Sequence, residues 1–354
     1  MFSALLTLLR RLQRLGDLFL VPVLRGKGVS CGRKINYIRC VYAAERKLPV
    51  CSGKPYLVTI EPVNYCNLKC PICETGSGTL GRPKRKMTFD EFRFILGQFD
   101  NNLSQMYFYF MGEPFLNDDG YRMVRFAADR GIWVTTCANA GFLDPEKLVG
   151  SGIAEVNFQI AGMTQEVHEI YRINSRLDII LDAIDKTIAF RSASGRRGKM
   201  KIIVGYILMK HNEHQVIQFT DYFKNRDIDG LNIIGTTART PEQAREYMPT
   251  DKKYHRFIYE DVYRHNRLTP VRRPDNRCGW IYSTVTIMVN GDVVPCCFDP
   301  TGNNVLGNVF RESIYQIWNN ERYRKLRRMV TTQSNVCELC RLCFGESVAP
   351  IVRY

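Results

Sequence analysis

Between Tyr56 and Thr236 the chain alternates six short apolar runs with five longer stretches of helical character. The runs that read as strands are YLVTIEP (56–62), QMYFYFMGEP (105–114), GIWVTTCANA (131–140), EVNFQIAG (155–162), MKIIVGYILM (200–209) and GLNIIGT (230–236). Helical stretches lie between them, at 88–99, 120–131, 145–152, 177–194 and 213–227. Thr88 and Glu91 have capping-box spacing at the start of the first. Strands that alternate with helices make parallel βα units, whose functional residues gather at the C-terminal ends of the strands. With 354 residues, 45% of them hydrophobic, the chain can bury a large core.

The pattern changes beyond Thr236. Residues 241–277 are polar and interrupted by Pro249, Pro270 and Pro274, which predicts a helix and a linker. STVTIMVNGDVVPCC (283–297) alternates on both sides of Asn290-Gly291, a strong hairpin signal. A helix is predicted over 313–330, with Ile314, Ile317, Trp318, Leu326 and Met329 on one stripe. The expected organisation is an N-terminal segment (1–54), an α/β core (55–240), a helix and linker (241–277) and a small α+β domain (278–354).

The chain holds thirteen cysteines, and nine of them fall into two groups. Cys66, Cys70 and Cys73 form Cys-x3-Cys-x2-Cys in the loop after the first strand. Cys278, Cys296, Cys297, Cys337, Cys340 and Cys343 form the second group. Tight Cys-x2-Cys spacing in a chain of this size reads as metal ligation in a reducing compartment, here the cytoplasm. Cys31, Cys40, Cys51 and Cys137 read as small hydrophobes or surface thiols. Zinc in the first group would need a fourth ligand, and the first histidine in the chain is His168. Three thiolates on a [4Fe–4S] cluster leave one iron open.

These residues resemble the radical S-adenosylmethionine (SAM) superfamily, whose signature is this cysteine spacing after the first strand. MGEP (111–114) looks like its Gly-Gly-Glu-Pro motif, with Met111 in place of the first glycine. CANAG (137–141) looks like its Thr-Asn-Gly element. In QIAG (159–162), Gln159 and Ala161 stand where the family carries Ser and Asp. The resemblance covers about residues 55–240 and implies a partial (βα)6 barrel. It also implies that SAM chelates the open iron through its amino and carboxylate groups. Reductive cleavage would then give a 5′-deoxyadenosyl radical that abstracts hydrogen from an unactivated C–H. The SAM-binding residues implied are Gly112, Glu113, Pro114, Asn139, Gln159 and, by position after the fourth strand, Arg172. Asn64, Asn67 and Pro71 would shape the loop.

The second group resembles the auxiliary-cluster domains called SPASM and, in shorter form, twitch. The matching residues are Cys278-Gly-Trp, NGDVVPCC, Gly307-Asn308, SIYQIWNNERYRKLR and the terminal Cys-x2-Cys. Six thiols are too few for two fully ligated clusters, so one auxiliary [4Fe–4S] cluster is expected, making two in the protein. Cys278 and Cys296 would supply two ligands, and Cys337 and Cys340 the others. Cys343 competes with Cys337, because Cys340-x2-Cys343 has the same spacing. Cys297 would be a neighbour.

The net charge is +15, and residues 1–50 carry ten Lys and Arg against Asp17 and Glu45. Leu5, Leu8, Leu9, Leu12, Leu15 and Phe19 fall on one helical face, while Arg10, Arg11 and Arg14 interrupt any apolar span. A basic amphipathic helix in a membrane interface fits this pattern, as does a helix packed on the body of the protein. The reading that follows is an iron–sulfur oxidoreductase acting on a small or lipid-linked metabolite. It would be served by a one-electron donor such as flavodoxin or ferredoxin, with peripheral contact at the inner face of the membrane. The alternative is a peptide-modifying maturase. Many of those carry a peptide-binding domain for which the segment before Tyr56 is too short. An iron–sulfur nucleic-acid-binding or redox-sensing protein is a third class. No recognition helix or RNA-binding signature supports it, so no nucleic-acid partner is expected.

Overall fold

The computed structural model describes residues 30–345, apart from Pro274, and the backbone of Ile351 and Val352. The amphipathic segment expected over 1–28 lies outside the described residues.

Helix α1 (Cys31–Glu45) leads into β1 (Leu57–Ile60). The six expected strands are present as β1, β2 (Gln105–Phe108), β3 (Trp133–Ala138), β4 (Glu155–Ile160), β5 (Lys201–Leu208) and β6 (Gly230–Gly235). They pair in parallel in the order β6-β5-β4-β3-β2-β1. Between them run α2 (Phe89–Gly97), α3 (Gly120–Ala128), α4 (Pro145–Gly150), α5 (Gln165–Tyr171), α6 (Leu177–Ala193) and α7 (Val216–Phe223). The Thr88/Glu91 capping box is formed, at 3.2 and 2.9 Å. Helix α5 was not expected; its seven residues are too few for periodicity to reveal, although Thr164 caps them at Val167 N–H. In the polar stretch after β6, α8 (Pro241–Tyr247) is joined by a short α9 (Tyr259–Tyr263).

Val58, Ile60, Met106, Phe108, Val134, Val156, Phe158, Ile202 and Val204 are fully buried in one core with Phe92, Ile95, Val124, Ile184 and Phe219 from the helices. Because side chains alternate along a strand, Thr59, Tyr107, Thr135 and Glu155 take the opposite face.

The C-terminal unit does not stand apart from this sheet. After α10 (Trp280–Ser283), strand β7 (Thr284–Ile287) pairs in parallel with β1, Leu57 against Thr284 and Ile60 against Ile287. β8 (Asp292–Val294) and β9 (Gly307–Asn308) continue the sheet antiparallel, and β10 (Ile351–Val352) adds antiparallel to β6. The hairpin turns at Asn290-Gly291 as expected, with Gly291 at φ +84°. Glu61, fully buried at the end of β1, binds Arg82 through both carboxylate oxygens at 2.7 and 2.6 Å and accepts Val289 N–H at 2.9 Å.

The helix expected over 313–330 is broken into α11 (Ile314–Trp318) and α12 (Glu321–Thr332). Asn320 is the reason: its side chain caps the second helix at Tyr323 N–H, 2.9 Å, and donates to Leu306 O at 2.7 Å. The break rotates the buried stripe. Met329 is exposed, while Tyr323, Leu326, Arg327 and Val330 are buried.

Candidate active site

The loop that carries Cys66, Cys70 and Cys73 is tied to the ends of the sheet by residues between and just after the cysteines. Asn67 Oδ1 accepts from Asn139 Nδ2 at 2.9 Å, at the end of β3. Lys69 N–H donates to Ile173 O at 3.1 Å, beyond β4. Thr75 donates to Met111 O after β2. Glu74 pairs with Arg239 after β6 at 2.6 Å. Asn64 closes the loop by bonding Pro83 O and Arg85 N–H at 2.8 and 2.7 Å. Burial pushes the Cys66 thiol up to about 11, and Glu113, Cys70 and Cys73 push it the same way against the Leu68 N–H. Burial also raises Cys70, opposed by the Arg172 charge. Thiols in this setting ionise when a metal takes the place of the proton.

Of the expected SAM contacts, Gly112, Glu113, Asn139 and Arg172 converge on this loop. A Cβ on Gly112 would overlap the carbonyl oxygen of Val63, so only glycine lets the end of β2 lie this close to the start of the loop. Glu113 N–H is engaged by Tyr65 O at 3.1 Å, which leaves acceptors rather than this donor to serve a ligand. Its Oε2 accepts Asn139 N–H at 2.9 Å, whereas the buried Oε1 has no partner among the described residues. Burial pushes the Glu113 carboxyl up to about 7. Asn139 also reaches Cys66 Sγ at 3.5 Å. The Arg172 guanidinium contacts the Cys70 thiol, and its Nε has no hydrogen-bond partner among the described residues. A carboxylate oxygen and a guanidinium nitrogen, both buried and unmatched beside three thiols, suit a zwitterionic ligand. Pro114 opens a buried 3-10 turn, and Gln159 spends its amide nitrogen on Asn157 Oδ1 at 2.7 Å.

The sequence marks His168 only as the first histidine in the chain. It has a structural task at the end of β4. Its Nδ1 accepts Ala161 N–H at 3.3 Å, so Nε2 carries the proton and donates to Ser175 Oγ at 3.0 Å. Burial, helped by Arg172, pushes it down to about 3.

The second cysteine group sits at the other end of β1. β8 runs back along β7, Val294 against Thr286, so Cys296 lies near the level where β1 begins. Cys278 acts electrostatically on both Cys296 and Cys340, and Cys343 acts on Cys296, Cys297 and Cys340. Cys337 and Cys340 share a hydrogen bond, which brings Cys337 down to about 6 and raises Cys340. Among the described residues no three His, Cys, Asp or Glu are already arranged as a closed metal site.

Between the two groups lies the sheet face turned away from the helices. Register aligns Thr286, Thr59, Tyr107, Thr135, Glu155 and Lys201 across it. The indole of Trp280 stacks on Tyr107, 6.1 Å between ring centroids and 2° apart. Thr59 Oγ1, Thr286 Oγ1 and Trp280 Nε1 are buried without partners among the described residues, and Cys297 lies within electrostatic reach of Tyr107 and Tyr109. Sequence reasoning missed Tyr107, Tyr109 and Trp280. The alternation in QMYFYF is the one signal for the two tyrosines, and it does not say which face is the core, while Trp280 enters the sequence reading only as part of Cys278-Gly-Trp.

The family model of the radical SAM superfamily matches residues 60–223, and that of the SPASM iron–sulfur cluster-binding domain matches 278–344. The chain belongs to the radical SAM superfamily. This radical SAM enzyme is 24% identical over 302 residues to a tungsten-containing aldehyde ferredoxin oxidoreductase cofactor-modifying protein of Pyrococcus furiosus, covering 76% of this chain and 82% of that one. It is 21% identical over 327 residues to a PqqA peptide cyclase of Bradyrhizobium diazoefficiens, covering 81% and 79%. Its fold matches SuiB of Streptococcus suis, solved bound to S-adenosylmethionine, with TM-score 0.61 and 18% identity over 95% of this chain and 83% of that one. Radical SAM membership brings SAM and a [4Fe–4S] cluster as cofactors, and the SPASM domain brings auxiliary iron–sulfur binding.

Proposed function

We propose that the protein is a radical SAM oxidoreductase that removes hydrogen from an unactivated C–H of a small or lipid-linked metabolite, with one auxiliary [4Fe–4S] cluster. The observation that carries this reading is the in-register pairing of β1 with β7, which puts the two cysteine groups at opposite ends of one strand pair. About 10 Å of strand separates the two levels, loops aside, and a polar, partly unsatisfied sheet face lies between them.

When bound, SAM and its cluster supply reductive cleavage of a sulfonium and a 5′-deoxyadenosyl radical. Cys66, Cys70 and Cys73 hold that cluster. Glu113 Oε1 would accept from the SAM ammonium, and Arg172 would donate to its carboxylate. Asn139 holds Asn67 and Cys66 in place. Tyr107, Tyr109 and Trp280 line the space for substrate and exclude water from it. Cys278, Cys296, Cys337 and Cys340 hold the auxiliary cluster, with Cys343 as the alternative to Cys337. Four thiolates would leave that cluster no open iron, which suits it to accept the one electron that a substrate radical gives up as it is oxidised.

A second reading, a peptide-modifying maturase, is favoured by the likeness to a PqqA peptide cyclase. The basic amphipathic pattern of residues 1–28 supports peripheral contact with an anionic membrane. No helix among the described residues is long and apolar enough to cross a membrane.

Anaerobic reconstitution with iron and sulfide counting, paired with a 5′-deoxyadenosine assay, tests the reading. About eight irons per chain and SAM cleavage are expected. About four irons would remove the auxiliary cluster, and no 5′-deoxyadenosine would remove the activity.

A further inference from the structure

Helix α1 has two apolar faces. Asn36, Tyr37, Cys40 and Ala43 are buried against the body. Asn36 clasps the backbone of Lys54 at 2.9 and 2.7 Å, and Tyr37 meets Tyr56 edge-on at 5.3 Å. On the opposite side Ile35, Ile38 and Tyr42 are 47%, 56% and 54% exposed. At about 100° per residue these three fall in a sector roughly 60° wide. Lys34 and Arg39, both exposed, flank that sector, each about 40° outside it. Arg46 and Lys47 follow at the C-terminus. From Arg33 to Lys47 there are five cations against Glu45.

A contiguous apolar stripe left in solvent marks an interaction surface. Its rim narrows the choice of partner. A second copy of the chain would bring like charges together. The first 29 residues are themselves net positive, with Arg10, Arg11, Arg14, Arg25 and Lys27 against Asp17, so charge disfavours them as the cover. An anionic bilayer satisfies both parts: isoleucine and tyrosine enter the headgroup boundary, and lysine and arginine stems extend to the phosphates. The amphipathic segment ends directly at Ser30, the N-cap of α1, so the two stretches adjoin in the chain.

We propose that α1 docks the folded protein onto an anionic lipid surface through Ile35, Ile38 and Tyr42, with Lys34 and Arg39 at headgroup level. This rests on the peripheral-membrane reading above and assigns it to residues of the folded body.

The test is flotation of the full-length, cluster-loaded protein with vesicles of phosphatidylcholine alone or mixed with phosphatidylglycerol. Three variants are compared with wild type: Ile35→Ser/Ile38→Ser/Tyr42→Ser, Lys34→Glu/Arg39→Glu, and Leu8→Ser/Leu12→Ser/Leu15→Ser. The α1 substitutions are all at exposed positions, and unchanged iron content and unfolding midpoint confirm an intact fold. Wild type is expected to float with the anionic vesicles, and both α1 variants to lose about tenfold or more in partitioning. Loss in the α1 variants with binding kept in the leucine variant supports the proposal on its own. Loss in the leucine variant with full binding in the α1 variants overturns it and leaves the membrane reading intact. No flotation of wild type overturns both. Salt-sensitive RNA binding without vesicle binding, or a dimer that the serine variant dissociates without a change in flotation, also overturns the proposal.

Discussion

Arg239 Nε lies 2.6 Å from Glu74 Oε1, across 165 residues of sequence. Glu74 follows the last cysteine of the first group, and Arg239 follows β6. β1 and β6 do not pair with each other, so this ion pair closes the rim of the sheet where the strands leave it open. Arg239 N–H is itself held by Gln243 Oε1 at 2.8 Å.

If the pair braces the cysteine loop, Arg239→Ala and Glu74→Ala should each lower stability in urea by about 1 kcal/mol, since the pair is only partly shielded from solvent. The double variant should cost little more than either single one. Costs that simply add would show that the two residues are not coupled.

The cysteine assignments separate by iron counting. The triple variant Cys66→Ala/Cys70→Ala/Cys73→Ala should keep about four irons and make no 5′-deoxyadenosine. Cys278→Ala/Cys296→Ala should also keep about four irons, yet still cleave SAM under a chemical reductant. Loss of cleavage in the second variant would contradict the division of roles.

Much of this was legible in the sequence, for definite reasons. The six strands stood out because each is a short apolar run between turn residues, and the cysteine spacing carries its own chemistry. The pairing of β7 with β1 was not legible, because it joins residues more than 200 positions apart through backbone bonds that no side-chain pattern reports. The break at Asn319-Asn320 was hidden inside a stripe that reads as continuous until Asn320 is recognised as a cap. Glu74 and Arg239 are ordinary charged residues in loops, and only the fold brings them together. Only its position after the fourth strand marks Arg172 in the sequence, and the structure sets it against Cys70.

Acid should destabilise the protein through His168. The folded state holds this imidazole down at about 3, while the unfolded chain titrates near its ordinary 6.5. The unfolded state therefore binds the extra proton as pH falls below about 6.5, and stability drops by up to about 1.4 kcal/mol per pH unit from this group. Urea unfolding of metal-free protein at pH 7 and pH 5 should show roughly 2 kcal/mol more acid loss in wild type than in His168→Gln. Equal losses would place the acid sensitivity elsewhere.

Arg327 is fully buried with no carboxylate beside it among the described residues. It donates to Ile281 O, Pro49 O and Asn319 Oδ1 at 3.1, 3.2 and 3.0 Å, and lies over the rings of Trp318 and Tyr323 at 4.4 and 4.5 Å. These contacts join the N-terminal connection to the C-terminal unit. Arg327→Ala should cost about 3 kcal/mol by leaving carbonyls unmatched and a cavity between the rings. Arg327→Lys should recover little of it, because an ammonium lacks the planar fork. Full recovery with lysine in a thermal melt would reduce the role of Arg327 to its charge.

The pairing of β1 with β7 also sets a clock on synthesis. Among the described strands β1 is the first to leave the ribosome, yet one of its two neighbours begins at Thr284. At ~5–20 residues per second, that edge waits on the order of ten to fifty seconds for its partner. For that interval the strand leading to the first three cysteines has an unpaired backbone edge, the feature that invites association with other nascent chains. Slow translation before Thr284, or early release of the chain, should therefore appear as aggregation of a protein whose finished form has this edge covered.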